Sequence, residues 1–219
     1  MERGFLGRLP PADHLDLEGR GRRRQFRRGE VLFHEGDPSH QALVILDGRA
    51  KISSFTEGGK EVLLGVRGVG ELLGELSSVD GEARSATATA LDPIQALVVP
   101  AEEFRAFLES HPRAAIAVVE IVGGRLRDSD RKRIEFAALD AVGRVARRLV
   151  ELAEDYGEAS ADRVRIALPI SQGELAGWTG ASRESVSRAL GTMRARGWIE
   201  THRRGVTVLA LEALRRRAM

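Results

Sequence analysis

Cysteine is absent from the 219 residues, which excludes a disulfide framework and equally a thiolate-ligated zinc site or iron–sulfur cluster. Any sensing by this chain has to use other chemistry. No apolar run approaches the ~20 residues of a membrane span, and the N-terminal end lacks the short hydrophobic stretch of a signal peptide. A cytoplasmic protein with no membrane partner is expected. His14, His34, His40, His111 and His202 are scattered, with no His-x3-His or Glu-x-x-His pair, so no metal is assigned. Paired metal-binding carboxylates, a His–Asp cluster and an activated nucleophile are also missing, which argues against an enzyme.

The chain is long enough for two modest domains with separate cores. Its formal net charge of +2 is unevenly spread: residues 1–138 carry 20 Lys/Arg against 22 Asp/Glu, and residues 139–219 carry 14 against 10. From Ile170 onward nine Arg face four Glu, as expected of a polyanion-binding module. The run Gly21-Arg22-Arg23-Arg24 in the acidic half shows that arginine alone is weak testimony, since it fits a compositional bias.

From Glu30 to Val99 short β-type stretches (31–33, 42–46, 50–55, 61–66 and 94–99) are broken by turn residues such as Glu57-Gly58-Gly59 and Asp80-Gly81. Short strands so closely spaced predict an antiparallel roll or barrel. Pro100-Ala101-Glu102-Glu103 opens a short helix, and a longer one follows Pro112 to about Ala138. On it Val119, Val122, Leu126, Ser129, Arg133 and Phe136 recur at three and four residue steps, a seam for a partner helix. Gly123-Gly124 beside the seam allows close backbone approach. Asp140 reads as the N-cap of a further helix, with a hinge near 138–140. The expected division is a roll at 1–110, the long helix and hinge at 111–138, and a DNA-binding domain at 139–219, an α+β chain overall.

Within GELSSVDGEARSA, Gly74-Glu75-Leu76 and Arg84-Ser85-Ala86 look like two halves of an anion pocket. A glycine lets backbone amides approach an oxyanion, Arg84 supplies a guanidinium fork and Ser85 a hydroxyl, and Glu75 accepts from sugar hydroxyls. Phosphate plus ribose is the implied ligand. The pattern resembles the phosphate-binding cassette of cyclic-nucleotide-binding domains, and Gly29-Glu30, His34-Glu35-Gly36-Asp37 and Leu46-Asp47-Gly48 resemble the turns of the same β-roll. By that resemblance Glu75 holds the ribose 2′-hydroxyl, while Arg84, Ser85 and the Gly74–Glu75 backbone hold the cyclic phosphate.

The segment ISQGELAGWTGASRESVSRALGTMRARGWIE splits into two amphipathic helices around a Gly-containing turn, a helix-turn-helix pattern. Ser171 and Ser182 are the expected caps, and Val186, Leu190 and Met193 the buried stripe of the second helix. Arg183, Glu184, Ser187 and Arg188 are left outward, with donors for guanine and an acceptor for cytosine. The stretch from Ser182 to Arg188 resembles the recognition helix of the cyclic-AMP receptor protein/FNR family of transcription regulators, and Arg183, Glu184 and Arg188 match that family's base-contacting positions. Gly197-Trp198-Ile199-Glu200 and Arg203-Arg204-Gly205-Val206-Thr207-Val208 resemble the wing that follows. Ser171, Ser182 and either Arg203 or Arg204 would position the DNA backbone without reading sequence.

The resemblance implies a homodimer that binds cyclic AMP in the roll and a palindromic double-stranded DNA site through the winged helix, with RNA polymerase as a further partner. It also implies that Ser129 and Asp130, at the place where family members contact the nucleobase from two subunits, read the base here. Since Asp130 is an acceptor and guanine offers N1–H and N2–H, cyclic GMP stays open; its rival reading is a pair with Arg127 or Arg133 at helical spacing. A vestigial roll with effector-independent DNA binding is the other alternative.

Overall fold

The computed structural model describes residues 4–160, 162–166, 170–202 and 205–219. By contact the chain forms two units, Met1–Ser54 with Leu64–Asp128, and Phe55–Leu63 with Ser129–Met219. The division falls inside the long helix at Asp128/Ser129, ten residues before the expected hinge.

The first unit opens with a 3-10 turn, Leu6–Arg8, and α1, Pro11–Gly19. Eight strands follow, with the tip of the β4–β5 hairpin, Phe55–Leu63, counted in the second unit: β1 Arg22–Phe26, β2 Val31–Phe33, β3 Gln41–Asp47, β4 Ala50–Phe55, β5 Glu61–Arg67, β6 Leu72–Leu73, β7 Thr87–Ala90 and β8 Ile94–Pro100. They form two four-stranded sheets, ordered β1-β8-β3-β6 and β2-β7-β4-β5, antiparallel in every pairing with a described register. The expected antiparallel roll is present.

Period-two burial gives the central strands two cores. Leu43, Ile45, Ala96 and Val98 face the roll interior with Phe26, Leu32 and Ile94. Val44, Leu97 and Val99 face the other way, toward Phe5, Phe104 and Phe107. Those phenylalanines are carried by the N-terminal segment and by α3, Ala101–Ser110. Between β6 and β7 sits α2, Glu75–Asp80, bounded by two left-handed glycines, Gly74 and Gly81.

Helix α4, Pro112–Ala138, is 27 residues long, about 40 Å at 1.5 Å per residue. Its first turns bury Ala114, Ala117 and Val118. Val122 also packs on that core, whereas Ile116, Val119 and Leu126 are 59–71% exposed. Of the expected seam, Val122 is thus engaged by its own unit. Phe136, on the other side of the division, lies over Gly180 with one edge of its ring but stays 48% exposed.

In the second unit Asp140 caps α5, Ala141–Tyr156, its carboxylate accepting from Gly143 N at 2.8 Å. Helices α6, Gln172–Thr179, and α7, Arg183–Ala195, meet at left-handed Gly180. A four-stranded antiparallel sheet orders β11 Ile199–His202, β12 Gly205–Val208, β10 Arg163–Ile166 and β9 Gly157–Ser160. The expected wing is β11 and β12; β9 and β10 extend it. Helix α8, Leu211–Arg217, closes the chain on α5. No helix among the described residues is long and apolar enough to cross a membrane.

Candidate functional site

Strand β6 is only two residues long because Gly74, at φ +70°, turns the backbone into α2. A side chain there is strained by φ alone, and an added Cβ would lie 2.8 Å from Arg84 Cζ. The turn brings Glu75 and Arg84 together in the roll, 3% and 4% exposed. Arg84 Nη1 donates to Gly74 O and Ser77 Oγ, each at 2.9 Å, and Nη2 to Gln41 O. Its guanidinium faces the Phe33 ring at 4.4 Å. Burial lowers the Arg84 pKa, and the Glu75 and Asp37 carboxylates offset part of that; guanidinium remains charged.

Glu75 receives a second cation from far along the chain. Arg125 Nη1, on α4, donates to Glu75 Oε1, and Nη2 to Leu72 O at 2.7 Å. Burial lowers the Arg125 pKa as well, against the pull of Glu75. Among the described residues, two buried atoms of this cluster have no hydrogen-bond partner: Glu75 Oε2 and Arg84 Nε. An ionised acceptor and a cationic donor left unpaired are costly unless a ligand or solvent completes them. A ribose hydroxyl and a phosphate oxygen are groups of the right kind, so the residues fit a cyclic nucleotide.

The other residues expected at this pocket are placed differently. Ala86 is buried, Ser85 is exposed, and Leu76 on α2 is 44% exposed. Ser129 and Asp130 are exposed on α4 in the second unit, and Asp130 pairs with Arg133 at 3.6 Å. The pairing expected as the rival reading is therefore observed. Sequence reading did not mark Arg125 or Phe33, because no local spacing ties them to the cassette, nor Ser77, which lies within it as one of two adjacent serines.

The second candidate surface is α7. Ser182 accepts from Ser185 N at 3.1 Å, and Val186, Ala189, Leu190 and Met193 are buried. Arg183, Glu184, Ser187 and Arg188 share the exposed face. Arg188 Nη2 donates to Ser185 Oγ at 3.1 Å. The Glu184 pKa is lowered by its backbone N–H and by Ser182, which keeps it an acceptor. Ser171 forms a capping box with Glu174 at the start of α6. Arg203 lies outside the described residues, as does its neighbour Arg204.

A β-roll with this cradle, joined in one chain to a winged helix-turn-helix, defines a DNA-binding transcription regulator with a nucleotide-binding domain. Residues 23–111 match the cyclic nucleotide-binding domain and 143–217 the Crp-like helix-turn-helix domain. The chain is 32% identical over 193 residues to the CRP-like cAMP-activated global transcriptional regulator of Mycobacterium tuberculosis, covering 88% of this chain and 86% of that one. It is 29% identical over 192 residues to the global nitrogen regulator of Synechococcus elongatus, covering 87% and 86%. The chain belongs to the CRP/FNR family of transcription regulators. Its fold is similar to that of the c-di-GMP responsive global regulator CLP of Xanthomonas campestris, with a TM-score of 0.80, 23% identity, and 91% and 99% of the two chains covered.

Proposed function

We propose that this protein is a cytoplasmic homodimer whose affinity for a palindromic DNA site is raised by cyclic AMP bound in the roll. The observation that carries the reading is the pair of buried, unpartnered atoms at Gly74, Glu75 Oε2 and Arg84 Nε. Glu75 accepts from the ribose 2′-hydroxyl, Arg84 with Ser85 and the Gly74, Glu75, Leu76 and Ala86 backbone hold the phosphate, and Arg125 fixes the Glu75 carboxylate. Ser129 contacts the base. Asp130 pairs loosely with the exposed Arg133, and the cAMP-activated relative named above supports cyclic AMP as the ligand.

In this reading Arg183, Glu184 and Arg188 touch base edges, while Ser171, Ser182, Ser187 and Arg203 position the backbone. The exposed Val119 and Leu126, beside Gly123 where an added Cβ meets only the Arg127 side chain, form the twofold joint with a second copy. Two recognition helices then meet successive major grooves about 34 Å apart, and the nucleotide acts by binding that arrangement more tightly. RNA polymerase is the partner through which DNA occupancy alters transcription.

Calorimetry and gel shift on two variants test the reading. Arg84→Leu should abolish cyclic AMP binding, while Arg188→Ala should keep it and lose specific DNA binding. Loss of cyclic AMP binding together with DNA binding in Arg188→Ala would refute separate sites. A second reading has its own observation, that both terminal nitrogens of Arg84 already donate to Gly74, Ser77 and Gln41. The roll is then a scaffold, and a cyclic AMP titration would leave DNA affinity unchanged.

A further inference from the structure

A buried charge cluster in the second unit has no part in that reading. Arg148 on α5 is 2% exposed and pairs with Glu135 of α4 and, at 2.7 Å, with Glu151. Arg131 and Arg147 reach Glu135 Oε1 at 3.5 and 3.3 Å and Glu151 Oε1 at 3.3 and 3.5 Å. The buried Trp178 ring of α6 lies 5.9 Å from the cations of both Arg148 and Lys132. Burial raises the Glu151 pKa, with Arg148 and Arg131 pulling it back.

One turn earlier on α5, Arg144 Nε donates to Thr179 O at 2.7 Å, at the end of α6, and Nη1 to Leu139 O at 2.5 Å. Its guanidinium faces Phe136 at 5.4 Å. Phe136 in turn covers Gly180, where an added Cβ would lie 3.1 Å from the ring Cζ. Arg144 and Arg148 share one face of α5 and hold the last turns of α4 and the first helix of the helix-turn-helix to one another.

The cluster sets a condition on how α4 and α5 can separate. A buried guanidinium is tolerated only with its carboxylate in place, so α4 cannot part from α5 by small degrees without stranding Arg148. We propose that this ion-pair box is a latch that makes the end of α4 and the helix-turn-helix one body, so that α7 follows α4 instead of flexing at residues 139–140. A latch of this kind is the bistable element that coupling between two sites requires. The functional consequence rests on the reading that cyclic AMP governs DNA affinity.

The test uses the full chain with Trp198→Phe, which leaves Trp178 as the sole tryptophan of two. Glu135→Gln should expose Trp178 to acrylamide and cut the cyclic-AMP-induced gain in DNA affinity by about fivefold or more. Binding of cyclic AMP itself should stay within about twofold, since typical couplings of 5–150-fold act on the link and not on the site. The double variant Glu135→Leu/Arg148→Met replaces charge by packing, and should restore both readouts. A Glu135→Gln protein with parental quenching, or with exposed Trp178 and an undiminished response, overturns the latch. So does a folded double variant that has lost the response. If the parent shows no response to cyclic AMP, the nucleotide reading fails, and quenching together with hydrogen exchange over residues 129–138 still decides the latch.

Discussion

At the scale of single residues, Gly74 is the most constrained position of the roll. Its φ is one that L side chains rarely adopt, and the space a Cβ would fill holds the Arg84 guanidinium. Gly74→Ala should weaken cyclic AMP binding by more than about tenfold, a loss of ~1.4 kcal/mol, with little change in the binding of non-specific DNA; calorimetry beside a gel shift reads both. Glu75 and Arg84 were legible in the sequence because a glycine, an acid and an arginine at that spacing sit on one short stretch of chain. Arg125 was not. It meets Glu75 across fifty residues, and on its own helix it is one arginine among several, so only the packed roll distinguishes it.

Helix caps are the element-scale features that sequence reveals best, since donor and acceptor lie three residues apart. Asp140, Ser171 and Ser182 all accept from the backbone as their spacing predicts. Ser182→Ala should cost ~1 kcal/mol of stability in the second unit, seen as a lower thermal midpoint. Asp140 adds a pH signature. The Gly143 amide and Arg217 hold its pKa below the ordinary carboxylate value, so its stabilisation is present above about pH 4 and lost as pH falls through the lowered value. Asp140→Asn keeps an acceptor for the cap but cannot titrate, and thermal melts should show a shallower acid limb. Its exposure keeps the effect small. By contrast β9 and β10 were hidden, because Gly157–Ser160 carries no apolar alternation; that hairpin exists through its pairing with β12. The division by contact lies ahead of the helix break at 138–140 for a similar reason. Glu135, Phe136 and Leu139 are tied by side chains of α5, and those ties cannot be read from a cap.

For the whole molecule, the seam on α4 was legible as a period but not as a partner choice. The structure assigns Val122 to its own unit, leaves Val119 and Leu126 exposed, and leaves Phe136 half exposed over Gly180. Leu126→Asp should therefore dissociate the proposed homodimer, shifting the sedimentation coefficient to that of a monomer. Specific DNA affinity should drop about a hundredfold or more as two-site engagement is lost, with the thermal midpoint of the fold nearly unchanged. The arginine run passed over as a compositional bias turned out to be β1, the outermost strand of its sheet. Arg22, Arg23 and Arg24 occupy an edge whose outer amides and carbonyls would otherwise template another strand. Replacing them with threonine should leave the monomeric fold intact yet let copies add edge to edge, so that turbidity and thioflavin fluorescence rise on concentration. The same charge that says little about recognition would then be what keeps this regulator dispersed in a crowded cell.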